Sequence, residues 1–67
     1  MITNIQIVTN NAEILTALIV ERATLAQQTD FDSPEQIDAL TEISKQIKEA
    51  IRHIDYHTGA MVAEAMQ

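Results

Sequence analysis

The sequence predicts an all-α fold: an antiparallel two-helix hairpin with a long second helix, assembled as a homo-oligomeric helical bundle. Three observations lead there. The 67 residues include one Gly and one Pro, and the apolar residues are mostly Ile, Leu, Val and Ala, with Phe31 and Tyr56 as the aromatic side chains. Such a composition leaves little loop material and suits helices. Apolar residues at three- and four-residue spacing fill two segments, with one polar break between them at Thr29-Asp30-Phe31-Asp32. Finally, a single domain this short gains only a few kcal/mol from one core, and the absence of Cys rules out a disulfide or a thiolate zinc site. Subunit association is the device that remains.

Taken in chain order, residues 1–10 are expected to form an arm. The alternation Ile5-Gln6-Ile7 is too short to make a sheet, and an extended segment lying on a neighbouring subunit suits it better. The first helix is expected over 11–28, because Asn10-Asn11-Ala12-Glu13 offers a capping side chain with Glu three residues on. Its apolar residues Ile14, Leu15, Leu18, Ile19, Val20, Ala23, Leu25 and Ala26 cover more than one stripe, so two sides of this helix require burial.

A turn is expected at 29–33, and Ser33-Pro34-Glu35-Gln36 follows as a helix start in which Ser33 caps, Pro34 occupies the first turn and Gln36 closes a capping box. The second helix is expected over 34–65, carried by Ile37, Leu40, Ile43, Ile47, Ile51, Ile54, Met61, Val62 and Ala65. The alternative is that Gly59 ends it as a C-cap and leaves a frayed tail. At 1.5 Å per residue the two helices span roughly 27 Å and roughly 48 Å, which leaves about 20 Å of the second unmatched. That overhang begins near Arg52 and still carries apolar residues. Symmetry mates are expected to cover it.

Ten acidic residues against four basic ones give a net charge of -6, which opposes binding to a DNA or RNA polymer or to an anionic membrane surface. No apolar run reaches the ~20 residues needed to span a bilayer, and Met1-Ile2-Thr3-Asn4 lacks the basic start of a signal peptide. A cytoplasmic protein is the expectation. No nucleophile-and-base arrangement, P-loop or paired catalytic carboxylates occurs, so neither an enzyme nor a cofactor is expected.

His53 and His57 stand at i, i+4, a spacing that can place two imidazoles on one metal, but no third ligand accompanies them and Asp55 points to another face. Polar fill at an interface is the better reading, and no metal is expected. Lys45, Lys48 and Arg52 lie along one side of the second helix, where Glu42, Glu49 and Asp55 can balance them at i, i+3. Arg52 is set apart because it begins the overhang, where a symmetry axis could gather copies of its planar guanidinium around an anion. Tyr56, Thr58 and Gly59 follow within two turns and supply a ring, a hydroxyl and a position open to close approach. Arg22 interrupts the apolar side of the first helix and either lays its stem over a neighbour or reaches a bound anion.

The segment Asp55-Tyr56-His57-Thr58-Gly59-Ala60-Met61-Val62, followed by Ala63-Glu64-Ala65-Met66, resembles the C-terminal end of a phage anti-CBASS family of cyclic-oligonucleotide sponges. That family's pattern is an Asp, two variable residues, a Thr-Gly pair and a small-apolar helix end, preceded by a basic residue and joined to a shorter first helix. The resemblance implies a helical homo-oligomer, typically a hexamer, acting in the host bacterial cytoplasm. It implies immune evasion by stoichiometric capture of cyclic di- or trinucleotide messengers without cleavage. Thr58 and Gly59 match the family's Thr and Gly, Arg52 is similar to the basic residue near the phosphates, and Arg22 is a looser counterpart of a first-helix Lys. Tyr56 would then contact a base. The family also has a base-stacking aromatic residue ahead of the first helix, where this chain has only Ile5 and Ile7.

Two further readings compete. A small acidic interaction module or inhibitor would present Asp30, Asp32 and Asp38 to a basic site on a host protein, with net charge as its cue. A Rop-like RNA-binding hairpin is opposed by the same charge.

Overall fold

Two helices account for nearly all of the chain in the computed structural model, which describes residues 2–28 and 32–67: α1, Asn4–Gln28, and α2, Pro34–Ala65. The described residues contain no strand. The N-terminal end of α1 meets the C-terminal part of α2, since Asn4 bonds both His57 and Glu64, so the helices run antiparallel. The result is a rod of 54 × 17 × 14 Å.

The start of α1 corrects the expected arm. Residues 4–10 are helical, because Thr3 and Gln6 form a reciprocal capping box that holds the first turn. The Gln6 N–H donates to Thr3 Oγ1 at 3.2 Å, and the Thr3 N–H donates to Gln6 Oε1 at 2.9 Å. Asn11 does not cap. It lies inside the helix, and its Nδ2 donates to the Ile7 carbonyl one turn back at 2.8 Å.

The junction behaves partly as expected. Ser33 takes the N-cap position with extended backbone (φ -99°, ψ 113°) and Pro34 follows in the first turn, yet Ser33 makes no side-chain cap bond. Its hydroxyl donates instead to Glu35 Oε2 at 3.3 Å. Most of the expected turn, residues 29–31, lies outside the described residues.

At its other end α2 runs straight through Gly59 to Ala65, and Met66 caps it with a right-handed backbone. Gly59 is therefore a helix-interior residue and not a C-cap, as its φ is not positive.

A seven-residue repeat sets the packing. The partly buried residues of α1 include Asn4, Val8, Asn11, Leu15, Leu18 and Leu25, and those of α2 include Leu40, Ile43, Ile47, Ala50, Ile54, His57 and Met61. Alternating steps of four and three keep one seam facing the partner helix along the whole rod, as in a left-handed coiled coil. Only Ile43, Ile47 and Ala50 are buried outright among the described residues. With Asn4 level with His57, Asn11 falls level with Ala50, so the smallest seam residue faces an amide.

The longer α1 also shortens the overhang. It spans about 37 Å against about 48 Å for α2, so Ile54 and Met61 pack within the chain. The large apolar residues that stay exposed on the helices are Ile5, Ile14, Ile19, Ile37 and Ile51 beside the seam, with Val20 and Val62 farther around. The need for a partner thus passes from the end of α2 to the sides of the rod.

Candidate functional site

Helix geometry sorts the candidate residues into separate groups. Arg52 and Gly59 are seven apart on the side of α2 turned away from α1, and Tyr56 adjoins them one turn beyond Arg52. All three are exposed, Tyr56 to 72%. A β-carbon built at Gly59 meets nothing within 4 Å, so this outer line has a bare stretch of backbone open to solvent or to a ligand.

Thr58 is exposed too, but stands roughly 100° around the helix from the line of Arg52 and Gly59. Arg22 is farther still. On the register set by Asn4 and His57 it lies level with Ala39, about 13 residues of helix rise from Arg52, on the order of 20 Å along the rod. It occupies a seam position near the turn end and remains exposed.

The chain therefore brings Arg52, Tyr56 and Gly59 together and leaves Thr58 and Arg22 apart from them. No cavity forms among the described residues.

Arg52 is engaged within its own helix, its guanidinium Nη2 lying 2.5 Å from Glu49 Oε2. Both side chains are well exposed, so the pair contributes at most about 1 kcal/mol and yields readily to a stronger anion.

His57 contacts α1 within the chain. It turns into the seam, where its Nδ1 lies 2.9 Å from Asn4 Oδ1, while Asn4 Nδ2 donates to Glu64 Oε1 at 3.1 Å. With the amide oxygen as acceptor, Nδ1 carries the proton. The Tyr56 ring meets the imidazole edge-on, with centroids 5.1 Å apart and planes at 84°. His57 thus connects the open end of the hairpin to the Tyr56 ring, whereas His53 is exposed.

The chain of contacts from Asn4 through His57 to Tyr56 is not legible from the spacing of the histidines. The signal available for it was the Thr3-x-x-Gln6 box, which carries α1 far enough back to place Asn4 opposite His57. Compared with known families, curated proteins and solved structures, the chain matches none. Among the described residues, no helix is long and apolar enough to cross a membrane.

Proposed function

We propose that this protein acts by binding rather than by catalysis, as a homo-oligomer that captures cyclic di- or trinucleotides and withholds them from a bacterial immune effector. The observation that carries this reading is the outer line of Arg52, Tyr56 and Gly59: a cation, a ring and an exposed patch of backbone within two turns. The likeness of residues 55–66 to the anti-CBASS sponges supplies the ligand class.

A single rod has no enclosed cavity among its described residues, so the ligand would lie between copies, with several Arg52 guanidinium groups around its phosphates. Each would exchange Glu49 for a phosphodiester, whose two non-bridging oxygens suit the guanidinium fork. A hexamer, as in the family the segment resembles, could place such sites in equivalent positions.

Calorimetric titration with cyclic di- and trinucleotides tests the reading. Saturable heat and a raised melting temperature are expected. Arg52→Ala should weaken binding about tenfold or more while helix content and particle mass stay unchanged. Neither heat nor thermal shift with any cyclic nucleotide removes this function.

One observation favours a second reading, a protein-interaction module. Glu49 already engages Arg52, and Glu35, Asp38, Glu42 and Asp55 are exposed along the same helix, so its outer surface keeps an acidic excess over Lys45, Lys48 and Arg52. A stoichiometric host protein captured by the wild type, and lost on neutralising Asp30, Asp32 and Asp38, would support that alternative.

A further inference from the structure

Every seventh residue of α1 beginning at Ile5 lies just beside the seam: Ile5, Ala12, Ile19 and Ala26. Every seventh residue of α2 beginning at Ile37 does the same: Ile37, Ser44, Ile51, Thr58 and Ala65. Each of these residues follows a seam residue by one position. In an antiparallel pair that offset puts both rows on the same side of the rod, because reversing a helix reverses both its sense of rotation and the direction it faces.

The two rows form one flank that runs the length of the hairpin and contains no charged side chain, although 14 of the 67 residues are charged. The opposite flank also carries apolar residues, Ile7 and Ile14 among them, but its corresponding rows include a charge at Glu21 and the larger polar side chains Gln28, Gln46 and His53. The isoleucines of the uncharged flank are 40–65% exposed.

We infer that this flank is the surface on which a second copy of the chain packs, face to face, to make an antiparallel four-helix bundle. The inference rests on the self-assembly proposed above and assigns its contact face.

Area supports that occupant. A compact monomer of 7.5 kDa exposes about 4,200 Å², whereas this chain exposes 5164 Å². The excess of about 900 Å² is close to the ~800 Å² per partner that a stable interface covers. Charge supports it as well. Two chains each carrying -6 repel wherever acidic surfaces meet, and this flank lets them approach with no like-charged pair in the contact. A two-fold axis parallel to the plane of the hairpin and lying between the copies turns the flank onto its copy and leaves all neighbouring helices antiparallel.

Alanines allow a test that spares the hairpin. Ala12 and Ala26 are exposed within one chain, and Lys is nearly as good a helix former as Ala, so Ala12→Lys with Ala26→Lys should leave a lone hairpin intact. Ala17→Lys with Ala63→Lys adds the same charge at exposed positions off the flank. Sedimentation equilibrium of the wild type should give a multiple of 7.5 kDa, the off-flank variant should keep that mass, and the flank variant should fall to 7.5 kDa. Equal masses for the two variants, or dissociation of the off-flank variant alone, would overturn the flank assignment while self-assembly stands. A wild type that stays at 7.5 kDa at every concentration would overturn both. Circular dichroism on the same samples reads helix content. A flank variant that loses its helix only as it loses its mass also supports the assignment, while loss of helix at full assembled mass counts against it.

Discussion

Thr3 and Gly59 mark the two ends of what side chains do in this fold. Thr3 holds the first turn of α1 through its reciprocal bonds with Gln6, and Thr3→Ala should cost about 0.5–2 kcal/mol. Hydrogen exchange would show this locally, with faster exchange at the first amides of α1 and little change near Ile43. The box is plain in the sequence once looked for. It was overshadowed by the Ile5-Gln6-Ile7 alternation, which has strand period, and by Asn10-Asn11, which offers an equally good cap farther along. Local patterns of equal strength compete, and the decision comes from the partner helix: only the earlier start gives Asn4 a place opposite His57 and Glu64. Gly59 is the reverse case, a helix-interior residue with open space around it. Gly59→Ala should stabilise the chain by about 0.5–1 kcal/mol, read as a raised melting temperature. If that variant also binds cyclic nucleotides poorly, the bare backbone is a ligand surface. A lowered melting temperature would instead mean that another copy approaches closely there.

At the scale of elements, the seven-residue repeat explains both what was legible and what was not. Two helices, their break near Ser33 and the extent of α2 follow from apolar spacing and from Pro34. Which apolar residues face the partner does not, because α1 and α2 carry more of them than one seam can use. Ile51 and Ile54 look equivalent in the sequence, yet Ile54 lies in the seam and Ile51 is 46% exposed. The choice between them is made by a register that includes polar residues, Asn11 and His57 among them, which an apolar count passes over. So narrow a seam makes each core side chain expensive to lose. Ile47 is only 6% exposed, and Ile47→Ala should cost about 2–5 kcal/mol, comparable with the whole stability of a domain this small. Urea melts followed by circular dichroism should show the transition moved to low denaturant or abolished. An unchanged midpoint would mean that contacts between copies, and not the seam, hold the helices.

For the whole molecule, charge and apolar surface oppose one another, and ionic strength separates their effects. The chain carries -6, and none of its charged residues lies in the two rows of the uncharged flank. Raising salt from about 0.05 M to about 0.5 M shortens the Debye length from roughly 14 Å to roughly 4 Å. Repulsion between copies then falls while apolar burial is retained, so assembly should tighten, seen in sedimentation as dissociation at lower protein concentration. Phosphate capture by Arg52 should respond in the opposite way, because screening weakens an attraction between unlike charges. The two proposals therefore make opposed predictions for one variable: salt that strengthens the oligomer should weaken its hold on a cyclic nucleotide. Assembly that loosens as salt rises would mean that ion pairs, and not the uncharged flank, join the copies. Nucleotide binding indifferent to salt would leave Arg52 to its exposed pairing with Glu49.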